Sequence, residues 1–470
     1  MKMYIGCQWV DREDSITVLN PFDQSIIDTV PRGTAADVET AISSAAKGAE
    51  IMANIPSYER YMILRRTADL MAERSEDLAQ TITNEEGKVI AEGRGEVQRA
   101  IQTITLSSEE AKRLHGETVP LDGVPGNTGQ FGFTIRIPVG IVAAISPFNF
   151  PLNLVCHKVG PAIAAGNAVV LKPAGDTPLS GLKLTEILLE AGLPAEAIQC
   201  ITGSGAEIGD AITGDRRVRK ITFTGSMEVG DQICRNAGIK KVTMELGANC
   251  PLIVMSDADI EKVAAATVAS GFANAGQVCI STQRVFADRN IYADFLDALK
   301  APTAAFLAGN PMDETVKMGP MIRETDAIRV GNWISEAVDQ GARIIAGGDR
   351  DGTLHAPTVV ADVRSDMRMS REELFGPAVA VSSFDNIDDA IAMANDSRFG
   401  LAAGIFTQNV DWAMRFAREV QSGNVHINSS PQWRADIMPY GGLKDSGMGK
   451  EGPSYAIEEM TELKMVVFHM

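Results

Sequence analysis

Histidine is scarce in this sequence, and its cysteines are scattered. Only five histidines occur among 470 residues, and none forms an HxH or HExxH pair, so we expect no metal site. The six cysteines form no CxxC pair, which indicates the reducing cytoplasm rather than a disulfide framework. We therefore expect a cytoplasmic protein whose stability depends on neither metal nor disulfide bonds.

A net positive charge and long apolar runs are also lacking. The formal net charge is -18, which disfavours nucleic acid and anionic membranes as partners because both need a basic face. The most apolar region, residues 138–171, is interrupted by prolines and polar residues, so it does not predict a membrane span. The first residues, MKMYIGCQWVDRED, have no apolar core followed by small residues, so we expect no signal peptide.

The sequence contains enough apolar residues for a large core. At about 150 residues per domain its length predicts two or three domains, and its hydrophobic fraction of 45% is that of an ordinary globular protein. From residue 139 onward, short apolar runs such as NAVVLKP and VRKITFTG alternate with helical stretches. This pattern is typical of βαβ units on a mostly parallel sheet. A second alternating series follows a break near 247–250, so the sequence predicts two α/β domains.

Apolar residues at helical spacing predict several helices, and one alternating segment predicts a strand pair. The predicted helices span residues 35–52, 57–82, 178–191, 257–274, 290–307, 386–395 and 409–420. The segment GNTGQFGFTIRI joins a Gly-Asn-rich turn to alternating residues, so it indicates one arm of a hairpin near 120–137.

Two segments that follow predicted strands have features of a nucleotide site. In FTGSMEVG, Gly225 and Ser226 stand between a strand and a helix, where free backbone N–H groups at the helix N-terminus bind phosphate. In KPA, Lys172 lies at a strand end and can reach a ligand in the crevice there. Each feature alone also has a simpler interpretation, an ordinary turn for the first and a solvated lysine for the second.

Three further residues have the chemistry of a catalytic site. Glu245, in MELGAN, lies at a strand end, where a carboxylate can face a cleft and act as a base; an exposed loop glutamate is the alternative. Asn149, in SPFNFP, is held between two prolines, so its amide either donates to an oxyanion or bonds its own backbone in a turn. Cys279, in AGQVCISTQR, is either a nucleophile or a small buried hydrophobe.

Together and in this order, these segments resemble the NAD(P)-dependent aldehyde dehydrogenase superfamily. The match covers nearly the whole chain, from YIGCQWV near the start to MPYGGLKDSGMGKEG near the end. Between these two stand ISPFNFP, GPAIAAGNAVVLKPA, ITFTGSMEVG, MELGAN, GQVCISTQR and EELFGP. In its pocket motifs the chain is most similar to lactaldehyde-, sulfolactaldehyde- and glyceraldehyde-type members. The resemblance implies an enzyme that oxidises a small hydroxylated or anionic aldehyde with NAD or NADP.

The resemblance also implies the roles of the catalytic residues. Cys279 matches the catalytic thiol, Glu245 the general base, and Asn149 the side-chain half of the oxyanion hole. Glu451 matches a glutamate implicated in proton relay in some members. In such enzymes the thiolate attacks the aldehyde carbon, hydride passes to the nicotinamide, and water activated by the base hydrolyses the resulting thioester.

Roles in cofactor binding follow in the same way. Lys172 matches the lysine on the adenine-side ribose, and Gly225 with Ser226 matches the pyrophosphate-binding turn. Glu373 matches the carboxylate on the nicotinamide ribose, and Phe375 the aromatic residue beside the nicotinamide. The resemblance thus implies a complete NAD(P) site without a metal.

Two departures from the family pattern lie near these residues. Gly175 stands where NAD-preferring members often carry a glutamate that repels a 2′-phosphate, so no charge at this position rejects NADP. The neighbouring Asp176 could still disfavour it. We therefore expect use of both cofactors or modest discrimination between them. Ala248 replaces a family glycine beside the base, a change that we expect to be tolerated.

The family fold implies a division of the chain that periodicity alone does not predict. Residues 1–119 and 138–247 would form the cofactor-binding domain, and residues 248–445 the catalytic domain. Residues 120–137 and 446–470 would form a small β arm for oligomerisation. Because family members are dimers or tetramers built from dimers, we expect a homodimer or homotetramer.

Candidates for substrate binding are His157, Arg434 and Gln432, which could hold a hydroxyl or a terminal anion. His157 stands where succinate-semialdehyde dehydrogenases carry an arginine, which disfavours that substrate. The alternatives are a salt bridge from Arg434 to Asp436 or a neighbouring subunit, and a buried His157 that only shapes the wall. Val278 weighs against a phosphate substrate, since phosphate-handling relatives can carry arginine there.

Other functions stay open at this point. A succinate-semialdehyde-type dehydrogenase is one, and an acylating, coenzyme A-dependent semialdehyde dehydrogenase is another, although acylating relatives generally lack the base that Glu245 matches. A catalytically silent relative is opposed by the intact set of Cys279, Glu245 and Asn149. A cysteine hydrolase would leave the cofactor motifs without a purpose.

Overall fold

Two large, mostly parallel sheets and one small antiparallel sheet organise the chain. The computed structural model describes all 470 residues. The α/β class and the two parallel-sheet domains predicted from the sequence are confirmed. None of the helices is both long and apolar enough to cross a membrane.

The first sheet has eight strands, of which the central five are parallel. In spatial order the strands are Gln8–Val10, Met3–Ile5, Ile198–Cys200, Ala168–Lys172, Ile141–Ile145, Val218–Thr224, Lys241–Glu245 and Gly447–Met448. The strands at its two edges pair antiparallel.

The second sheet has seven strands, and all but the strand at one edge are parallel. In spatial order the strands are Arg343–Ala346, Thr358–Ala361, Ala378–Phe384, Arg284–Asp288, Pro251–Val254, Ala402–Phe406 and Asn424–Ile427. The predicted division at residue 247 falls between the last parallel strand of the first sheet, which ends at Glu245, and the strand that begins at Pro251.

The helices cover both faces of these sheets, as a parallel sheet requires. They are Ala35–Asn54, Ser57–Glu73, Ser75–Glu86, Ile90–Ala111, Asn153–Ala164, Leu179–Glu190, Asp210–Gly214, Met227–Ala237, Ile260–Phe272, Tyr292–Ala304, Glu324–Asp339, Arg368–Arg371, Ile387–Asn395, Val410–Glu419 and Pro453–Glu459. The predicted helix 57–82 is two helices, because Arg74 departs from helical geometry between them.

The helix Asn153–Ala164 was not predicted, and its burial explains why. Each of its residues is buried, so it has no polar face and no amphipathic period in its sequence. The strand Ile141–Ile145, on which it packs, is also buried at each position. This helix therefore lies at the centre of the first domain, directly beside the residues proposed for catalysis.

The third sheet is antiparallel and includes the predicted arm. Its strands are Thr461–His469, Gln130–Pro138 and Thr118–Val119. The strand Gln130–Pro138 pairs along its whole length with Thr461–His469, so its main partner comes from the end of the chain rather than from a local hairpin. Leu463 and Met465 on this sheet are 59% and 41% exposed. Its role in oligomerisation stays a prediction.

The C-terminal boundary of the arm differs from the predicted residue 446. The strand Gly447–Met448 pairs with the first sheet, and the helix Pro453–Glu459 packs on Asn153–Ala164. Ile457 and Met460 belong to the same apolar core as that buried helix. Burial of these two side chains therefore keeps residues 447–460 with the first domain.

Candidate active site

Parallel strands of the first sheet bring polar residues to one edge. Lys172 and Glu245 are the last residues of their strands, and Asn149 follows a strand that lies between these two. The second domain contributes Cys279 from the loop before the strand Arg284–Asp288. Because the carboxyl ends of parallel strands open into a crevice, this edge is where a ligand is expected.

A cleft of about 1260 Å³, called the large cleft here, runs along this edge between the two domains. The residues predicted for cofactor binding that line it are Lys172, Gly175, Gly225, Ser226, Glu373 and Phe375. Cys279 and Asn149 line its inner end. The structure therefore brings the predicted cofactor residues into one cleft that reaches the nucleophile.

A helix N-terminus faces the large cleft. The side chain of Ser226 caps the helix Met227–Ala237 and accepts from the N–H of Val229 at 3.4 Å. A Cβ atom at Gly225 would lie 2.4 Å from the ring of Phe223, so only glycine allows this turn to pack closely. The exposed N–H groups and the helix dipole suit the diphosphate of a dinucleotide.

The outer end of the large cleft carries the residues that bear on cofactor choice. Burial lowers the pKa of Lys172 to about 8. No atom lies within 4 Å of a Cβ built on Gly175, which leaves room for a ribose substituent. Asp176 forms a two-pronged ion pair with Arg323 of the second domain, so its charge is balanced. Use of both NAD and NADP stays the prediction.

Glu373 and Phe375 line the cleft near its centre. Glu373 Oε1 accepts from the N–H of Ala248 at 2.9 Å, and burial raises the pKa of this carboxyl to about 7. A side chain at Gly247 would collide with Glu373 at 2.4 Å. The backbone of Ala248 lies outside the left-handed region, so alanine is tolerated there, as expected.

Asn149 and the Cys279 loop are held together directly. Asn149 Nδ2 donates to the carbonyl of Gln277 at 2.8 Å. That loop begins with Asn274 and Ala275 at φ of 50° and 52°, a left-handed conformation that costs free energy in residues other than glycine. Burial raises the pKa of the Cys279 thiol to about 12. The geometry places the amide of Asn149 beside the nucleophile, where an oxyanion hole requires a donor.

The carbonyl of Asn149 is fixed by a buried ionic cluster on the opposite side. Lys88 Nζ donates to this carbonyl at 2.6 Å and to Glu96 Oε2 at 2.7 Å. Asn274 Nδ2 approaches the same carbonyl at 3.3 Å. Glu96 also accepts from two backbone N–H groups at the start of the helix Asn153–Ala164. Lys88 thus holds the carbonyl of Asn149, and Asn274 links that carbonyl to the loop that carries Cys279.

We predict that Lys88→Met destabilises the protein, and more so at higher pH. Burial raises the pKa of Glu86 to about 8 and that of Glu92 to about 7, while Lys88 opposes both shifts. Removing the cation leaves these buried carboxyl groups without compensation once they ionise, at a cost on the order of 3–5 kcal/mol.

The sign of the pH effect follows from these pKa values. Both carboxyl groups have folded pKa values above the ordinary 4.5, so the folded state holds protons that the unfolded chain releases as pH rises. Without the cation these folded pKa values rise further, so the two proteins differ where the wild type begins to release these protons, near pH 7 to 8. The difference in Tm between wild type and Lys88→Met should therefore widen from about pH 6 to about pH 9. Lys300→Met, at an exposed position, is the control. An equal Tm difference at both pH values would contradict the charge explanation.

Glu245 and Glu451 are both buried but differ in their partners. Neither carboxyl oxygen of Glu245 has a hydrogen bond within the protein, and burial, followed by the nearby Glu451, raises the pKa of Glu245 well above its ordinary value. Glu451 accepts from Lys158 at 2.8 Å and from Arg434 at 3.1 Å. Burial opposes ionisation of Glu451, but these cations lower its pKa to about 2. Glu245 is thus a buried carboxyl group without a partner, whereas Glu451 is an anion held by two cations.

A second cavity of about 340 Å³, called the inner cavity here, lies on the other side of Cys279. The proposed catalytic and substrate residues that line it are Cys279, Glu245, Glu451, Arg434 and Gln432. Arg99, from the helix Ile90–Ala111, also lines it, and its side chain is 34% exposed. The cavity therefore joins a thiol, a carboxyl group without a partner and two guanidinium groups.

Arg434 lies deep in this cavity, and its side chain is 5% exposed. Its main ionic partner is Glu451, whereas its Nε lies 3.9 Å from Asp436, too far for a hydrogen bond. That Nε is buried and has no hydrogen-bond partner in the protein. A buried unpaired donor is costly, and the nearest carboxylate to this one is that of Asp436.

His157 lies behind Arg434 and is not among the residues that line the inner cavity. Burial and then Arg434 lower its pKa to about 4, so the ring is neutral. Its Nε2 lies 2.8 Å from Asp436 Oδ1, and Nη2 of Arg434 lies 3.3 Å from its Nδ1 and 3.1 Å from its Nε2. The carboxylate of Asp436 can only accept, so Nε2 donates to it and Arg434 donates to Nδ1. These contacts assign the proton to Nε2. Through these contacts His157 supports Arg434 in the wall of the inner cavity. A direct contact between His157 and the substrate stays a prediction.

Sequence reasoning missed four residues that the structure places at the site. They are Lys88, Arg99, Lys158 and Tyr440. Arg99 donates to Asp436 at 2.8 and 3.1 Å, across 337 positions of sequence, which no local pattern reveals. Tyr440 lies within MPYGGLKDSG, so the motif contained it, but nothing in the motif indicated that its hydroxyl faces Cys279.

Comparisons with known proteins agree with this geometry. The model of the aldehyde dehydrogenase family matches residues 9–466. The 3-sulfolactaldehyde dehydrogenase of Priestia aryabhattai is 48% identical over 468 residues, which cover 100% of this chain and 98% of that protein. Similarity to a sulfolactaldehyde-type member, predicted from the pocket motifs, is confirmed.

Solved structures show the same fold. Aldehyde dehydrogenase 21 from Physcomitrella patens, solved with the reaction product succinate, has a TM-score of 0.97 and 38% identity, covering 100% of this chain and 98% of that one. Glyceraldehyde-3-phosphate dehydrogenase from Methanocaldococcus jannaschii, complexed with NADP, has a TM-score of 0.94 and 37% identity, covering 98% and 100%. Given a cleft that suits a dinucleotide and leads to a cysteine, these likenesses show that the chain belongs to the aldehyde dehydrogenase family, whose members oxidise aldehydes with NAD or NADP.

Proposed function

We propose that this enzyme oxidises a small 2-hydroxy aldehyde with a terminal anion to its carboxylate, and that 3-sulfolactaldehyde is the first candidate. The observation that carries the proposal is the inner cavity, where two guanidinium side chains, Arg99 and Arg434, line the same space as Cys279. Guanidinium groups bind sulfonate and carboxylate oxygens through paired N–H donors. The relative at 48% identity is named for that substrate.

The acylation step uses Cys279 and Asn149. The thiolate forms a bond to the aldehyde carbon, and the electron pair of the C=O bond moves onto oxygen. The Nδ2 of Asn149 and the backbone N–H of Cys279 stabilise that oxyanion. When bound, NAD or NADP supplies the acceptor for the hydride that leaves the carbon as the C=O bond re-forms. A thioester on Cys279 remains.

The deacylation step uses Glu245. Glu245 lines the same cavity as Cys279, and its carboxyl oxygens have no partner in the protein, so one of them accepts a proton from the attacking water. The hydroxyl adds to the thioester carbon, the C–S bond breaks, and the carboxylic acid leaves. Glu451 accepts hydrogen bonds from Lys158 and Arg434, which hold it as an anion. Its role in passing the proton outward stays a prediction from the family resemblance.

A second candidate substrate is succinate semialdehyde. The structure of the Physcomitrella patens enzyme contains succinate as reaction product. His157 replaces the arginine that such enzymes carry at that position, but Arg99 supplies a guanidinium to the cavity from a different helix. An acylating, coenzyme A-dependent reaction is less favoured, because Glu245 lines the cavity as a base. Product analysis with and without coenzyme A separates these two reactions.

The test is a panel of aldehydes with NAD or NADP. We expect 3-sulfolactaldehyde to exceed lactaldehyde, glyceraldehyde 3-phosphate, succinate semialdehyde and propanal in kcat/KM. Arg99→Gln should lower kcat/KM for the anionic substrate about 10- to 100-fold, mainly through KM, because a charge-assisted contact is lost. Propanal should change less than about threefold, because it makes no contact with the guanidinium.

Arg65→Gln is the matched control, since Arg65 pairs with Asp69 on an exposed helix face. The substrate proposal is wrong if propanal is the best substrate of the panel. It is also wrong if Arg99→Gln lowers kcat/KM equally for propanal and the anionic aldehyde.

A further inference from the structure

The sulfur of Cys279 has one hydrogen-bond partner in the protein. Its Sγ lies 3.1 Å from the hydroxyl of Tyr440. Tyr440 is buried, with 3% exposure, among the apolar residues Ala248, Val278 and Ile280. Its hydroxyl has no other partner. A phenylalanine ring would fill the same apolar site, so packing alone gives no reason for the hydroxyl.

The ring of Tyr440 is fixed from two directions. The guanidinium carbon of Arg434 lies 3.9 Å from the ring centroid. The backbone N–H of Tyr440 donates to the carbonyl of Glu451 at 3.1 Å, and the N–H of Glu451 donates to the carbonyl of Tyr440 at 2.7 Å. A phenol held by a stacked cation and by two backbone hydrogen bonds presents its hydroxyl at a defined position. That position is the sulfur of the nucleophile.

The surroundings of Cys279 otherwise disfavour a thiolate. Burial is the largest effect on its pKa, and two carboxylates add to it. The titratable groups that face Cys279 are Tyr440, Glu245, Glu373, Arg434 and Cys250. Of these, Tyr440 and Arg434 favour the thiolate. Tyr440 is the one with a donor in contact with the sulfur.

We propose that Tyr440 is a further catalytic residue, whose hydroxyl donates to the thiolate of Cys279 and stabilises the reactive form before the aldehyde arrives. This role rests on the proposed function, in which Cys279 is the nucleophile. Tyr440 keeps its proton throughout. The thiol proton passes to solvent, and the sulfur retains the electron pair with which it attacks the aldehyde carbon.

Alkylation of Cys279 by iodoacetamide, measured on the Cys279 peptide by mass spectrometry, tests the proposal without substrate or cofactor. In Tyr440→Phe the ring and its contact with Arg434 remain, and only the hydroxyl is lost. Because the midpoint lies near 12, the alkylation rate is followed from about pH 7 to about pH 9, where it rises with pH. The curve for Tyr440→Phe should be displaced by the equivalent of a midpoint raised by at least about one pH unit. At a fixed pH below the midpoint, the rate should fall about tenfold.

Two controls keep the result specific. Cys234, which is half-buried on a surface helix, is alkylated in the same sample, and its pH profile should not change. Tyr58→Phe alters an exposed tyrosine (64%) away from the site and should leave the profile of Cys279 unchanged. In steady state, Tyr440→Phe should lower kcat/KM for the aldehyde by a similar factor.

The outcomes separate this proposal from the proposed function. An unchanged midpoint and rate in Tyr440→Phe, with Cys279→Ala inactive, would overturn the role of Tyr440 alone. Aldehyde oxidation that persists in Cys279→Ala would overturn both, because Cys279 would then not be the nucleophile. A raised midpoint for Cys279 with an unchanged profile for Cys234 supports the proposal.

Discussion

Cys279→Ala is expected to lose aldehyde oxidation by roughly 10⁴-fold or more, because no other nucleophile can form the thioester. The variant should still bind the cofactor, since the large cleft is lined mainly by other residues. Two measurements check this: the rate of cofactor reduction with saturating aldehyde, and the change in fluorescence on titration with NADPH. The expected pattern is a lost rate with retained binding.

Cys200→Ala is the control for loss of a buried thiol. Cys200 lies in a strand of the first sheet, in the core of the first domain, and should retain most of the activity. Turnover in Cys279→Ala within about tenfold of wild type would contradict the assignment, because a tenfold change reflects only about 1.4 kcal/mol of barrier.

Glu245→Gln is expected to separate the two halves of the reaction. Removal of the general base should slow hydrolysis of the thioester about 10²- to 10⁴-fold. The first turnover should remain, because the attack by Cys279 does not use this base. Rapid mixing of enzyme, aldehyde and cofactor should therefore show one equivalent of reduced cofactor, followed by a very slow phase.

The pH dependence of the slow phase follows from the burial of Glu245. Its pKa is raised well above the ordinary value of a glutamate, and the base acts only when deprotonated, so deacylation by the wild type should speed up as pH rises through that raised pKa. Glu245→Gln should lose this rise. Glu419→Gln, at an exposed surface position, should retain it. A first turnover lost together with steady-state activity would contradict the separate role of Glu245.

The proposed catalytic residues could be located in the sequence because they lie at strand ends and in short motifs. Lys172 and Glu245 end parallel strands, and their apolar runs identified both the strands and the edge where they meet. The sequence predicted a helix N-terminus just after the turn of Gly225 and Ser226, and in the structure Ser226 caps the helix Met227–Ala237. The family resemblance supplied the convergence with Cys279, which periodicity alone does not predict.

Some residues in the walls of the inner cavity, such as Lys88 and Arg99, were not predictable, because their contacts join distant parts of the chain. Arg99 lies on a helix whose Gly93 and Gly95 weaken its helical signal. Gly93 is required because a Cβ there would lie 2.8 Å from Thr83. Arg434 was identified as a candidate, but its pairing with Glu451 and its contact with Tyr440 depend on the folded loop.

The pairing in the small antiparallel sheet was not predicted from the sequence either. The alternating residues of Gln130–Pro138 were recognised as a strand, yet its partner Thr461–His469 follows more than 300 residues later. Antiparallel pairing leaves no local signal when the connection is not a short turn. The register between these strands is set by tertiary packing.

The most direct test of the account is to trap the thioester on Cys279. Glu245→Gln, mixed with 3-sulfolactaldehyde and NADP and then quenched in acid, would be digested and analysed by mass spectrometry. The account predicts that the Cys279 peptide gains the mass of the aldehyde less two hydrogens, because the acyl group replaces the thiol hydrogen, in amounts equal to the cofactor reduced. Cofactor reduction with an unmodified Cys279 peptide, or with the acyl group on another residue, would contradict it.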